Sequence, residues 1–128
     1  MHMDAVMPAG KPLSPEQRRI AHSCATEAPF SGPWLHEKRA GLYSCAACGA
    51  PLFRSESKYD SGSGWPSFFD QISPDALGQR QDDSLGMTRT EIHCKACGAH
   101  MGHLFADGPA PTGLRYCVNG SVLDFTPD

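Results

Sequence analysis

Cys45-Ala46-Ala47-Cys48-Gly49-Ala50 recurs along the chain as Cys94-Lys95-Ala96-Cys97-Gly98-Ala99. A Cys-x-x-Cys turn puts two sulfurs on one side of a tight loop. The Gly after the second Cys permits the left-handed backbone such a turn needs. Two turns supply four thiolates, the donor set of a tetrahedral zinc site with bonds of about 2.3 Å. The gap from Cys48 to Cys94 is longer than in a simple zinc ribbon, so strands must bring the two turns together. Rival readings are a pair of redox Cys-x-x-Cys motifs, which here lack a βαβ context, and structural disulfides, which suit an exported protein. Iron in the same four-sulfur site is also compatible with the spacing. The favoured reading is structural zinc on Cys45, Cys48, Cys94 and Cys97, because four thiolates leave no open position for catalysis.

The rest of the chain reads as short strands and turns. It carries 13 Gly and 11 Pro in 128 residues, which favours turns over long helices. Residues 1–12 read as a flexible lead-in and residues 13–128 as a single domain. Ser14, Pro15 and Gln17 have the pattern of an N-cap, a first helical residue and a capping box, predicting about two turns of helix over Leu13–Ala21. Strands are expected over Gly41–Cys45, Pro51–Arg54, Met87–Cys94, Leu114–Val118 and Ser121–Phe125. The segments Asp60–Gly64, Ser73–Leu85 and Asp107–Gly113 read as loops. The expected fold is mainly β, with two antiparallel sheets, a short N-terminal helix and a four-cysteine zinc site. The charge balance of 11 − 14 = −3 gives no support for nucleic-acid or anionic-membrane binding. No apolar stretch has the length of a membrane span and no signal peptide is visible, so a cytoplasmic protein is expected.

Two cysteines remain. The bland reading of Cys24 and Cys117 is that each is a small buried hydrophobe. In a strand, however, Leu114, Tyr116 and Val118 share one face, and Arg115, Cys117 and Asn119 the other. A thiol beside a cation and an amide is unlike a core cysteine, and a nearby Arg favours the reactive thiolate. His100 and His103 read equally well as structural histidines or as acid–base groups near a thiol. Trp65, between Gly64 and Pro66, suits the lining of a pocket as well as a core.

Together these segments resemble the B-type methionine sulfoxide reductases. The likeness is carried by Thr26-Glu27-Ala28-Pro29-Phe30, Lys58-Tyr59-Asp60-Ser61-Gly62, Gly64-Trp65-Pro66-Ser67-Phe68, Gly102-His103-Leu104-Phe105, Asp107-Gly108-Pro109 and Pro111 to Asn119, with the two knuckles. The resemblance implies reduction of methionine-R-sulfoxide, free or in proteins. It makes Cys117 the nucleophile and Trp65 the contact for the S-methyl group. His100, His103 and Asn119 hold the sulfoxide oxygen, with His103 the first choice as proton donor, and Arg115 helps to set the thiolate. Attack leaves Cys117 as a sulfenic acid.

The chain departs from the family in one important place. Many members carry a second redox cysteine just before the Gly-Trp-Pro-Ser-Phe stretch, and here that position is Ser63. Cys24 is the remaining cysteine, and is expected to resolve the sulfenic acid as a disulfide with Cys117 that a thioredoxin-like reductant reopens. A monomer is expected. Gly120 stands where serine is frequent in the family; a glycine there can loosen the strand after Asn119, and the sequence leaves its effect on the site open. The competing functions are a noncatalytic zinc module that docks a partner and a peroxide-sensing thiol protein.

Overall fold

The computed structural model describes residues 13–128; the lead-in expected over residues 1–12 lies outside them. The helix α1 spans Pro15–Ser23, with Pro at the first turn. The Ser14 Oγ accepts the Gln17 backbone N–H, and the Gln17 side chain returns the bond to the Ser14 N–H. This is the capping box expected from the sequence.

Among the described residues, nine strands form two antiparallel sheets. They are β1 (Gly41–Cys45), β2 (Pro51–Arg54), β3 (Lys58–Tyr59), β4 (Ser67–Phe68), β5 (Leu77–Asp82), β6 (Arg89–Cys94), β7 (His100–Phe105), β8 (Arg115–Val118) and β9 (Leu123–Pro127). One sheet has the order β2-β1-β9 and the other β3-β4-β8-β7-β6-β5. The two expected strands at Gly41–Cys45 and Pro51–Arg54 form with those bounds. The last one starts later than expected, at Leu123, because Gly120–Val122 makes a 3-10 turn first. The segment Ser73–Leu85, read as a loop, contains β5. Its residues Gln79, Arg80 and Gln81 are exposed, as suits the edge of a sheet, and so give no apolar alternation to read.

The core lies between the sheets. Phe53 stacks on Phe68 with centroids 4.1 Å apart, and Tyr43 meets Phe68 edge-on at 5.1 Å. Tyr116 and Val118 of β8 point into it, while Arg115 and Cys117 occupy the other face. That is the alternation expected of this strand. The outer face of the six-stranded sheet carries the site. Opposed residues on neighbouring strands share a face, and the pairing Ser67–Cys117–His103–Glu91–Arg80 runs across five strands, from β4 to β5.

Candidate active site and metal centre

The two repeated turns are the hairpin ends of different sheets, β1–β2 and β6–β7. Their backbones match bond for bond. Cys45 N–H donates to the Ala50 carbonyl at 2.8 Å and Gly49 N–H to the Cys45 carbonyl at 2.8 Å; the corresponding bonds from Cys94 and Gly98 are 2.8 and 2.7 Å. Gly49 and Gly98 have φ of 82° and 84°, the left-handed backbone expected after each second Cys. The four sulfurs converge within 4.8 Å of one another. The Cys45–Cys97 and Cys48–Cys94 sulfur separations are both 3.7 Å. A tetrahedral ion with bonds of about 2.3 Å has edges of about 3.8 Å. The donor set therefore fits one tetrahedral ion, which would tie the two sheets together away from the cleft.

Cys117 lies in a cleft of about 300 Å³ with Trp65, Ser63, His103, Arg115 and Asn119. Burial pushes the Cys117 thiol up, and Arg115 and a hydrogen bond with Ser63 pull it only part of the way back. Arg115 thus lowers the thiol without offsetting its burial. The guanidinium is shared: it bonds both Asp107 carboxylate oxygens at 2.8 and 3.1 Å and stacks 4.3 Å over the Phe105 ring. Ser63 stands beside the thiol.

His103 faces Cys117 across the β7–β8 ladder. Its Nε2 is 2.7 Å from the Asp82 carboxylate, so Nδ1 is the ring nitrogen left for the cleft. Asp82 is also bonded by Arg89, which lines the cleft, at 3.3 Å. His100 and His103 are three residues apart and would alternate to opposite faces in a regular strand. A bulge prevents this: Ile92 pairs Gly102 and His93 pairs His100, leaving Met101 as the extra residue. The two rings then stand on one face, 5.7 Å apart. His100 is nevertheless buried outside the cleft lining, with Nδ1 2.7 Å from the Glu91 carboxylate and no partner on Nε2.

Glu27 organises the far wall. It is 3% exposed, and its carboxylate accepts the N–H groups of Gly120 at 3.0 Å and Ser121 at 2.9 Å and the Ser121 hydroxyl at 2.8 Å. Its backbone N–H donates to Asn119 Oδ1 at 2.9 Å, and its carbonyl accepts the Trp65 indole N–H at 3.0 Å. One Asn119 amide N–H goes to the Met101 carbonyl at 2.9 Å, which leaves the second. Gly120 is buried, and a Cβ there would clash with the Pro33 carbonyl oxygen.

Cys24 caps the end of α1 and is exposed, outside the cleft lining. Its sulfur lies within 4.8 Å of a Glu91 oxygen and a His100 ring nitrogen. All six cysteines are unpaired thiols. Asp82, Glu91 and Glu27 carry no individual signal in the sequence, because each meets its partner only through strand pairing or contacts some 90 residues away. No helix among the described residues is long and apolar enough to cross a membrane.

The SelR domain matches residues 13–127. A peptide methionine sulfoxide reductase MsrB of Agrobacterium fabrum is 52% identical over 115 residues, covering 90% of this chain and 85% of its own length. A protein of the same name from Leifsonia xyli subsp. xyli is 53% identical over 117 residues, covering 91% and 84%. The mitochondrial methionine-R-sulfoxide reductase B3 of Mus musculus is 52% identical over 117 residues, covering 91% of this chain and 46% of its own length. With a four-sulfur centre, a thiol cleft and this extent of identity, the chain belongs to the SelR-domain family of B-type methionine sulfoxide reductases, which are oxidoreductases.

Proposed function

We propose that this chain reduces methionine-R-sulfoxide, free or within proteins, with Cys117 as nucleophile and Cys24 as resolving thiol. The observation that carries the reading is the cleft in which Cys117, His103 and Trp65 meet, together with the family membership. The Cys117 thiolate attacks the sulfoxide sulfur, and the sulfoxide oxygen is protonated as its bond to sulfur breaks. His103 donates that proton from Nδ1 while Asp82 holds Nε2 and stabilises the charged ring. The second Asn119 amide N–H is left to bind the same oxygen. Trp65, fixed by the Glu27 carbonyl, packs against the S-methyl group. A methyl pocket and an oxygen site on fixed sides of sulfur select one epimer. The released hydroxide then adds to the Cys117 sulfur, the bond from Cys117 to the substrate sulfur breaks with its electron pair going to methionine, methionine leaves, and Cys117 remains as a sulfenic acid.

Cys24 then forms a disulfide with Cys117, and a thioredoxin-like reductant reopens it. Ser63 beside the nucleophile cannot do this, which supports Cys24. The segment from Cys24 reaches the cleft at Thr26, two residues on. Cys45, Cys48, Cys94 and Cys97 hold structural zinc, which holds the scaffold and takes no part in the reaction; the sulfur separations support it.

The test is to mix fully reduced protein with the R and S epimers separately, without reductant, then count methionine and map disulfides by peptide mass spectrometry. Release with R alone and a Cys24–Cys117 peptide are expected. Release with neither epimer from zinc-loaded protein refutes the activity and favours the docking module. Faster oxidation by hydrogen peroxide, with no epimer preference, favours the sensor.

A further inference from the structure

We propose that Cys24, His100 and Glu91 form a thiol–imidazole–carboxylate relay that deprotonates Cys24 for its attack on oxidised Cys117. The inference rests on the reading that Cys24 is the resolving thiol.

The relay has the three parts that an activated thiol needs: a nucleophile, a base beside it and a group that orients the base. Glu91 is 4% exposed and His100 2% exposed. In the 2.7 Å bond between His100 and Glu91 Nδ1–H donates to the carboxylate, which leaves the lone pair on Nε2. Nε2 is buried and has no hydrogen-bond partner. A buried polar atom in that state costs free energy, and a thiol proton would satisfy it. Cys24 supplies the thiol, its sulfur within 4.8 Å of a ring nitrogen of His100 and an oxygen of Glu91. Cys24 sits at the end of α1 on a left-handed backbone with φ of 55°, which is strained for a residue with a Cβ.

The electrostatics define what the relay must overcome. Burial holds His100 below the usual imidazole range, so the ring is neutral and able to accept a proton near pH 7. Burial and the Glu91 and Asp82 carboxylates raise the Cys24 thiol, against a smaller lowering by Arg80. Cys24 therefore needs a base. Glu91 is itself held by Arg80 at 3.1 Å and by His93 at 3.2 Å, and His103 stands next to His100.

The step balances as follows. His100 Nε2 takes the proton from Cys24. The Cys24 thiolate attacks the Cys117 sulfur; the S–S bond forms as the Cys117 S–O bond breaks. The departing hydroxide takes up one proton and leaves as water, and His100 returns to its neutral form. Cys117 gains one electron equivalent and Cys24 loses one. Cys117, His103 and Glu91 are opposed residues on β8, β7 and β6, so two strand spacings, about 10 Å, separate the outer two. The cap of α1 must move towards Cys117 to bring the Cα atoms within about 7 Å. Glu27 keeps its place in the wall while residues 24–26 adjust.

The test uses reduced, zinc-loaded protein mixed with methionine-R-sulfoxide without reductant and quenched over time. Methionine release reports the first step, and the Cys24–Cys117 peptide, against dimedone-labelled Cys117, reports the second. In His100→Gln the ratio of disulfide formation to methionine release should fall about a hundredfold at neutral pH, the usual worth of a general base. The deficit should shrink as pH rises, because hydroxide takes over the proton. A ratio unchanged from wild type, equal slowing of both steps or a deficit independent of pH overturns the relay. Glu91→Gln should lower the ratio by a smaller factor, and decides the matter if His100→Gln does not fold. Absence of the Cys24–Cys117 peptide in the wild-type protein instead removes the resolving role of Cys24 on which the relay stands.

Discussion

Glu27→Gln keeps the shape of the side chain and removes its charge. In the structure, Oε1 accepts two hydrogen bonds from Ser121 and Oε2 accepts one from Gly120. An amide retains one oxygen, so its NH2 must face at least one N–H. A hydrogen bond to a charged acceptor is worth about 1.5–3 kcal/mol, and a buried N–H left unsatisfied costs about 1–3 kcal/mol; the two overlap, so the expected loss is about 3 kcal/mol. Gly32 leaves room for the carboxylate, since a Cβ there would clash with Oε2. For 128 residues, an unfolding entropy of about 2.1 cal/mol/K per residue converts this to a fall in Tm of about 11 °C. Urea denaturation and thermal circular dichroism measure both quantities. The Trp65 and Asn119 bonds to the Glu27 backbone predict a parallel fall in kcat/KM. A loss below about 1 kcal/mol would refute the assignment of Glu27 as the anchor of the wall.

Two further outcomes are expected. Purified protein should carry one zinc per chain, released in step with thiol modification; Cys94→Ser should lose the metal and the cooperative unfolding transition, since binding and folding of such sites are one process. Retention of the wild-type Tm without metal would contradict the fastening of two sheets by one ion. Because burial raises the Cys117 thiol, the thiolate fraction near neutrality is small and grows with pH. Alkylation of Cys117 by iodoacetamide, followed by peptide mass spectrometry, should therefore rise towards tenfold per pH unit above about pH 7. Arg115→Leu removes a charge that lowers the thiol and should move the profile to higher pH. A flat wild-type profile would show that thiolate formation does not limit attack.

The most regular parts of the molecule were legible from the chain. The knuckles repeat in sequence and in hydrogen bonds, and Ser14, Gln17 and the faces of β8 follow local rules. What escaped reading depends on distant partners. β5 is a polar edge strand whose pairing with β6, not its composition, makes it a strand. Two-residue β3 and β4 are too short to carry a period. The bulge at Met101 has no local signature, yet it sets the face on which His100 stands. Cys117 is legible because its sequence neighbours are unusual, whereas Asp82, Glu91 and Glu27 become visible only once the strands are assembled.

The anchoring of Glu27 has a kinetic consequence for the thiol three residues before it. A chain of three residues reaches about 10 Å, so Cys24 is confined to a volume in which one thiol amounts to a local concentration on the order of 0.1 M or more. A dissolved thiol at millimolar concentration meets the sulfenic acid far less often. In the proposed reaction a short, firmly tied leash would favour capture of oxidised Cys117 by Cys24 over both dissolved thiols and a second oxidant, and would protect Cys117 from irreversible oxidation.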